Sequence, residues 1–373
     1  MELSILGVND MQLKFSKNRV KSLISGAVPF EHPLSTPVHK GRFFKKRISF
    51  TSIRKLCEKL DPVQYHHQSM VSFFQDNLIS IGPKKNIEEE FKRVLSKNKK
   101  YIKGLLLGFP FKCPVPIKTN YHTLPDFGEC MFIYRLGKLC QEVSQHTQKR
   151  LVINVAEETN ALATVFEVKN SICKTTQKKL AEYTNMLGFK EYIKFISLSS
   201  LIASDEKKYK KKLTEEASYI EKNVSLYQTK LYNILPTIAL SLPINSLTLL
   251  ESRKLINRLF SNTATVKEHR TLLKTAYKYL AFTELQQEQA YRNKIENYLQ
   301  LSLCPKKGRV GIRPTVSSSK LFPHHGVPVV YIKSGTKKFK IEYYIDFLTN
   351  SKENKASEVY SPKGDFLYYE VQN

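Results

Sequence analysis

Short apolar runs alternate with amphipathic segments along the middle of the chain. The runs KGLLLGF, KRLVINVAEE and EYIKFISLSSLI are bounded by glycine or charged residues, which is typical of buried strands. The segments between them, ECMFIYRLGKLCQEVSQH and KTTQKKLAEYTNMLGF, repeat apolar residues at the helical period. This alternation predicts a parallel sheet with helices on both faces. The predicted fold class is therefore α/β, with a Rossmann-like, mostly parallel sheet and flanking helices.

The ends of these central elements can also be predicted. The second helical segment should end at Gly188 with a left-handed cap, because glycine adopts that conformation without steric cost. The third strand, in EYIKFISLSSLI, should be followed by an exit loop. Asp126 and Glu129 have the spacing of a capping box at the start of the first helix.

The N-terminal region has a different pattern. Residues 1–45 contain Pro29, Pro33 and Pro37 among polar and basic residues and show no sustained period, so an irregular leader is expected. Residues 46–100 include ISFTSIRKLCEKL and NIEEEFKRVLSKNKKY, whose apolar spacing predicts a small helical N-terminal portion.

The segment after the third strand is predicted to be mostly helical. Residues 205–234 and 265–300 hold long helical periodicity. The apolar tract at 232–250 is interrupted by Pro236 and Pro243 and falls short of a membrane-spanning helix. We expect this tract to form buried loop and strand.

The last part of the chain alternates polar and apolar residues. The segments GRVGIRPTVSS, HGVPVVYIKSG, KKFKIEYYIDFL and GDFLYYEVQN predict a C-terminal antiparallel extension with one exposed face. The predicted division places the main domain at 101–350 and a C-terminal strand or tail at 351–373.

Composition adds a strong positive charge to this picture. The chain has 60 Lys and Arg against 33 Asp and Glu, a net charge of +27. A nucleic acid, a membrane surface or a phosphorylated metabolite would each suit that charge. The lysine runs lie beside acidic residues, as in KKYKKKLTEE, which is typical of solvated helix faces. We therefore expect no stable nucleic-acid partner, and a basic nucleic-acid-binding protein is the alternative to an enzyme.

The cysteines and the first residues bear on metal sites and location. Six cysteines lie at irregular spacings without a CxxC pair, so the sequence offers no common zinc or thioredoxin-like motif. His66 and His67 are adjacent and cannot share one helix face, and no metal site is predicted. Glu2 and Asp10 interrupt what would be the apolar part of a signal peptide. A cytoplasmic protein with reduced thiols and no membrane association is expected.

The stretch GFPFKCPVPIKTNYHTLPDFGE, at 108–129, concentrates prolines and charges directly after the first buried strand. Ligands of open α/β sheets bind beyond the carboxyl ends of the strands. The prolines restrict the backbone that carries Lys112, Lys118, Asp126 and Glu129. Capping alone can account for the acidic pair, whereas no local structural role accounts for the two lysines.

A second cluster of polar residues lies in RVGIRPTVSSSKLFPHHGV, from Arg309 onwards. It gathers Arg309, Arg313, Lys320, His324 and His325 with several serines. Cations and hydroxyls of this kind bind phosphate, and a histidine can transfer protons at neutral pH. An exposed basic hairpin is the structural alternative. The common Gly-rich phosphate-binding, zinc-protease and serine-hydrolase motifs are absent from the sequence.

Taken in order, four motifs resemble the isocyanide (isonitrile) synthase family. They are FPFKCPVPIKT, LPDFGE, VINVAEE and IRPTVSSSKLFPHHGVPVV, and the likeness covers roughly residues 70–335. The first motif is the most specific. The family includes pyoverdine-locus and paerucumarin-type enzymes and the fungal enzymes that make the dityrosine precursor of spore walls.

The resemblance implies a reaction. In the family, the amine of an amino acid, often tyrosine or tryptophan, becomes an isonitrile whose carbon comes from ribulose 5-phosphate. This implies condensation of the amine with the sugar ketone, then proton transfers and fragmentation, in secondary-metabolite biosynthesis. It implies no metal or nicotinamide cofactor, and an iron and 2-oxoglutarate oxygenase as a pathway neighbour.

The resemblance also implies roles for particular residues. Lys112 and Lys118 match the lysines of the family's proline-rich loop, with Cys113 where serine is common. Asp126 and Glu129 match the acids that follow this loop. The implied catalytic residues are Lys112, Asp126, Glu129 and His325.

The other matches concern substrate binding. Arg313 matches an arginine before the late serine-containing strand, and Gly326 with the preceding histidine matches an HG turn. The implied substrate-binding residues are Lys118, Arg313, Glu157 and Ser317.

One motif departs from the family pattern. Many members place an acid followed by glycine after the second strand, whereas this chain has Glu157, Glu158 and Thr159. The acid is kept but the turn must differ, so either glutamate can be the site residue. A non-catalytic homologue that only binds substrate is a further alternative.

Overall fold

The structure, a computed structural model, describes residues 43–60, 89–90, 92–94, 100–109, 125–239, 241–242, 248–260, 263–302, 310–312, 326–351 and 354–372. The predicted leader therefore lies outside the described residues, except for its last three. The predicted helical portion contributes α1 (Phe50–Leu60), whose buried residues recur at helical spacing: Ile53, Leu56, Cys57 and Leu60. Of the second N-terminal helix, residues 89–90 and 92–94 are described and are helical.

A five-stranded parallel sheet forms the centre of the fold. Its strands are β2 (Tyr101–Phe109), β3 (Arg150–Glu157), β4 (Ile193–Ser197), β5 (Leu299–Ser302) and β6 (Val310–Gly311). Their spatial order is β4-β3-β2-β5-β6, and every neighbouring pair is parallel. The three strands predicted from apolar runs are confirmed, and so is the α/β class.

Both faces of this sheet are buried around β2. Leu105 and Leu107 belong to one hydrophobic cluster, whereas Ile102 and Leu106 belong to another. These four side chains are at most 1% exposed. Successive side chains of a strand point to opposite faces, so an apolar run without alternation needs apolar cover on both sides.

Helices connect the strands as the sequence predicts. The crossover from β2 to β3 contains α2 (Phe127–Thr147), and the crossover from β3 to β4 contains α3 (Thr159–Phe166) and α4 (Asn170–Met186). Gly188 follows α4 with a φ of 85°, which confirms the expected left-handed cap. The expected exit loop after β4 is wrong, because α5 (Leu198–Ile202) follows that strand directly.

A helical segment separates β4 from β5. It contains α6 (Glu206–Lys222), α7 (Val224–Ala239), α8 (Leu249–Phe260), α9 (Val266–Leu285) and α10 (Gln289–Ile295). The expectation of strand within 232–250 is wrong, since the described residues 232–239 belong to α7 and residues 249–250 begin α8. The described residues 241–242 and 248 lie outside both helices, as expected of a loop. No helix in the described part of the chain is both long and apolar enough to cross a bilayer.

The second sheet combines one strand from the N-terminal part of the described chain with four strands from its C-terminal part. It contains β1 (Phe44–Arg47), β7 (Val327–Lys333), β8 (Thr336–Glu342), β9 (Lys355–Tyr360) and β10 (Phe366–Gln372), in the order β1-β9-β10-β7-β8. The pairs β7–β8 and β9–β10 are antiparallel, whereas β10–β7 and β1–β9 are parallel. The predicted antiparallel extension is therefore a mixed sheet.

Two further details of the C-terminal prediction need correction. Val310 and Gly311 pair with β5 in the parallel sheet, so this segment is not part of the C-terminal sheet. Residues 344–348, predicted as strand, belong instead to α11 (Tyr344–Asn350), which packs the Phe347 ring on Tyr369 at a centroid distance of 4.2 Å. Strands β9 and β10 share one sheet with β7 and β8, and the predicted boundary at residue 350 stays a prediction.

Candidate active site

The carboxyl ends of the parallel strands form one edge of the central sheet, which we call the carboxyl edge. Its strands end at Phe109, Glu157, Ser197, Ser302 and Gly311. After β2, the chain adds β3 and β4 on one side of β2. It then crosses to the other side and adds β5 and β6, so the switch in strand order lies between β2 and β5. Ligand sites of open α/β sheets lie at such a switch point, outside the carboxyl ends.

The N-terminus of α2 brings two buried acids to this edge. The Asp126 carboxylate accepts a hydrogen bond of 2.9 Å from the Gly128 amide, and Glu129 accepts one of 2.9 Å from the Asp126 amide. This is the predicted capping box, and it is confirmed. The two residues are 1% and 5% exposed. The positive end of the helix dipole and the amide donors stabilise carboxylates in this position.

A second pair of buried acids follows β3. Glu157 is 2% exposed and Glu158 is 7% exposed. The Gln177 side chain donates a hydrogen bond of 2.7 Å to Glu157 Oε2, which fixes the orientation of that carboxylate. Burial, reinforced by the nearby Glu157, raises the pKa of the Cys173 thiol to about 11. The thiol therefore stays protonated at neutral pH.

Glu158 occupies the N-cap position of α3 without a side-chain capping bond. Its negative charge adds to burial in raising the pKa of Tyr209, whose hydroxyl donates to the Ala161 carbonyl at 3.3 Å. Glu157 thus bonds a residue of α4, whereas the charge of Glu158 acts on a residue of α6. The departure from the family pattern keeps both acids in the protein interior.

Behind the capping box lies a set of groups that sequence reasoning missed. Burial and the surrounding negative charges, including Glu129 and Asp126, raise the pKa of Cys130 well above its ordinary value. The Tyr183 hydroxyl is buried without a hydrogen-bond partner among the described residues. Lys179 forms an ion pair with Asp365, which ties α4 to the turn before β10. No local sequence signal marks these contacts, because their partners are far apart in the chain.

Gly326 shows why a glycine follows His325. A Cβ atom built on Gly326 would lie 2.2 Å from the backbone carbonyl oxygen of Glu342. Real side chains do not reach this distance, so the strand pair β7–β8 can close at its end only when this residue is glycine. The glycine of the HG turn therefore has a steric role.

The remaining predicted site residues lie outside the described ranges. These are Lys112, Lys118, Arg313, Ser317 and His325. Phe109 and Pro125 are the described residues that flank Lys112 and Lys118 in the sequence. Ile312 and Gly326 flank the other three. Phe109 is the last residue of β2 at the carboxyl edge, and Ile312 lies one residue beyond the end of β6. The site was predicted at this edge of the sheet. Of the predicted site residues, Asp126, Glu129 and Glu157 are described, and all three are buried at that edge.

The described residues hold no cluster of three or more histidine, cysteine, aspartate or glutamate side chains arranged to bind a metal ion. The described cysteines are buried, and none of them forms a disulfide bond with another described residue: Cys57, Cys130, Cys140 and Cys173. Burial raises the pKa of the Cys140 thiol as well.

The described part of the chain is thus an α/β protein with buried carboxylates at the carboxyl edge of its parallel sheet. A family model described as pyoverdine/dityrosine biosynthesis protein matches residues 92–340, and the chain belongs to this family. The crystal structure of the PvcA protein from Pseudomonas aeruginosa matches with a TM-score of 0.57 and 15% sequence identity, over 81% of this chain and 100% of that chain. This likeness shows a shared fold. No curated protein sequence matches the chain.

Proposed function

We propose that this protein is an isonitrile synthase. It converts the amine of an amino acid, tyrosine or tryptophan, into an isonitrile with ribulose 5-phosphate as the carbon donor. Membership of the pyoverdine/dityrosine biosynthesis family supports an enzyme of secondary metabolism. The observation that carries the finer proposal is the pair of buried acidic sites, Asp126 with Glu129 and Glu157 with Glu158, at the carboxyl edge.

The proposed reaction needs groups that accept and return protons. Condensation of an amine with a ketone passes through a carbinolamine that must lose water, and the later fragmentation needs further proton transfers. In the proposal Asp126 and Glu129 are two of these groups, with His325 as the third. The burial of the two carboxylates supports this role, because carboxylates shielded from water exchange protons with a bound substrate rather than with bulk solvent.

The substrates also need cationic groups. In the proposal Lys118, Arg313 and Ser317 bind the sugar phosphate and the amino-acid carboxylate, since charge-assisted hydrogen bonds to these anions are strong. Lys112 acts on the reacting atoms. Glu157 binds the substrate amine, and its fixed orientation against Gln177 supports this assignment. An iron and 2-oxoglutarate oxygenase is the proposed pathway neighbour that modifies the isonitrile product.

The test is to incubate the purified protein with tyrosine or tryptophan and ribulose 5-phosphate labelled at the ketone carbon. Mass spectrometry should detect an isonitrile of the amino acid that carries the label. Lys112→Ala should abolish the product, whereas Lys337→Ala, a change of an exposed lysine on β8, should not.

Two results would contradict the proposal. A folded protein that makes no labelled product with either amino acid would favour the non-catalytic homologue. An unlabelled isonitrile would show that the ketone carbon of ribulose 5-phosphate is not the source of the isonitrile carbon. Circular dichroism of each variant, compared with that of the unchanged protein, separates loss of activity from loss of fold.

A further inference from the structure

Among the described residues, helices cover one face of the central sheet only toward the carboxyl edge. On this face Leu105 and Ala156 lie in a buried cluster with the helical segment. Toward the amino ends of the strands, the same face presents a cavity of about 440 Å³. We call it the amino-end groove, and its main lining residues are Tyr101, Lys103, Arg150, Asn154, Lys194 and Tyr298. Parallel sheets are usually covered on both faces, so an open polar half is unusual.

The floor of the groove carries uncompensated positive charge. Lys103 lies beside Val152 in the β2–β3 register, and Lys194 lies beside Asn154 in the β3–β4 register. Within the part of the chain that the structure describes, neither lysine has an ion-pair or hydrogen-bond partner, and both are exposed. The two lysines therefore flank β3 on the same face, with the Asn154 amide between them.

A third cation is held in place at the end of the groove. The Arg150 guanidinium donates hydrogen bonds of 2.9 Å to the carbonyl and the carboxylate of Glu191. It also lies over the Tyr192 ring, 5.5 Å from the centroid. Glu191 offsets the charge of this arginine, so the net positive charge of the groove comes from the two lysines.

Two aromatic rings border these charges. Tyr101 is 47% exposed, a large fraction for an aromatic residue at the start of a central strand. Tyr298 is half-buried and lies just before β5, next to β2 in the sheet. Exposed tyrosine rings beside lysines provide a stacking surface for a planar ring and cations for an anion.

We propose that the amino-end groove binds a small phosphate ester that carries a planar ring. A phosphate monoester has a charge near −2 at neutral pH, which matches two lysines better than a carboxylate does. The cavity has the size of ordinary small-molecule sites. Six residues of strand separate Lys103 from Phe109, about 20 Å at the usual rise per residue. The groove is thus distinct from the candidate active site, and the proposal does not depend on the proposed function.

The sequence offers a site-specific probe for this proposal. The chain contains no tryptophan, so Tyr101→Trp places a single indole fluorophore at the groove. Tyr219→Trp is the matched control, because Tyr219 is 50% exposed and lies on α6, away from the sheet face. Both proteins are titrated with phenyl phosphate, with inorganic phosphate and with benzoate while tryptophan fluorescence is recorded.

We expect a saturable change with phenyl phosphate in Tyr101→Trp and none in Tyr219→Trp. Adding Lys103→Gln and Lys194→Gln to Tyr101→Trp should weaken binding roughly tenfold or more, because two charge-assisted contacts are lost. Adding Lys337→Gln and Lys338→Gln on β8 instead should leave the Kd unchanged. Inorganic phosphate and benzoate should each bind several-fold more weakly, since each lacks either the ring or the second charge.

Several outcomes would overturn the proposal. An equal response in Tyr219→Trp would show non-specific binding, and equal losses in both lysine pairs would show a general charge effect. Benzoate binding as tight as that of phenyl phosphate would contradict the phosphate assignment. The absence of any saturable response in Tyr101→Trp would mean that the lysines only keep this part of the sheet solvated.

Discussion

Gln177 on α4 donates a hydrogen bond of 2.7 Å to Glu157 at the carboxyl end of β3. The carboxylate is 2% exposed, so its geometry depends on this partner rather than on water. A buried carboxylate with a fixed orientation can present its second oxygen in one direction only. The hydrogen bond thus links Glu157, which the family resemblance implies as a site residue, to Gln177, which belongs to none of the four motifs.

Removing this partner should impair turnover more than folding. We expect Gln177→Ala to lower kcat/KM of the proposed synthase by about 10- to 100-fold, since a hydrogen bond to a charged group contributes about 1.5–3 kcal/mol. Steady-state kinetics with labelled ribulose 5-phosphate measures the change. Gln289→Ala is the control, because Gln289 bonds Asn293 on an exposed helix. Unchanged kinetics in Gln177→Ala would exclude a role for the orientation of Glu157.

The capping box of α2 allows structure and chemistry to be separated at Asp126. Asparagine caps helices about as well as aspartate, so Asp126→Asn should keep the melting temperature within a few degrees. The same change removes a proton-accepting carboxylate and should reduce turnover by about 100-fold or more. Asp126→Ala should in addition lower the free energy of unfolding by about 1–2 kcal/mol.

A second capping box provides the control for this prediction. Thr265 and Glu268 cap α9 in the same way, and neither is among the predicted site residues. Thr265→Ala should therefore cost about 1 kcal/mol of stability and leave kcat/KM unchanged. Full activity of Asp126→Asn would show that Asp126 has a capping role alone.

The parts of the fold that were predicted correctly carry strong local signals. β2 and β3 carry apolar runs, and both faces of the sheet are buried at the carboxyl halves of these strands. The cap at Gly188 follows from the backbone freedom of glycine. The capping box needs only residues that are three apart. Each of these features depends on residues that are close together in the sequence.

The tract at 232–250 was predicted wrongly because its prolines were given too much weight. Pro236 lies near the end of α7, which stops at Ala239. Leu231, Leu235 and Ile238 are buried at helical spacing, and this periodicity decides the structure. Contacts such as Lys179 with Asp365 cannot be read from the sequence, since they join residues that only the tertiary fold brings together.

Gly326 should not tolerate even one methyl group. We expect Gly326→Ala to lower the free energy of unfolding by about 2–3 kcal/mol, because the added carbon would meet the Glu342 backbone and backbone moves at higher cost than a side chain. Chemical denaturation measures this. Gly335→Ala is the comparison: it has open space around it and a φ of 78°, so only about 1 kcal/mol of backbone strain is expected. A smaller loss for Gly326→Ala than for Gly335→Ala would contradict the steric argument.

Asp346 on α11 should make stability depend on pH. Burial and repulsion from Glu342 raise the pKa of Asp346 from 3.8 to about 7. The attraction of Lys340 opposes this shift but is weaker. Between these two values the unfolded chain releases the proton and the folded chain keeps it. The folded state then binds more protons, so the contribution of this group to stability falls as pH rises from about 4 to about 7.

Asp346→Asn should remove this slope. The variant should gain stability over the unchanged protein as pH rises, with an upper limit of about 4 kcal/mol for a shift of about three pKa units, reduced by solvent screening of a half-buried group. Denaturation curves at pH values from about 4 to about 8 measure the difference between the two proteins. Glu215→Gln, on the exposed face of α6, is the control for the general effect of removing one negative charge. An equal stability of Asp346→Asn and the unchanged protein at every pH would mean that Asp346 titrates normally in the folded state.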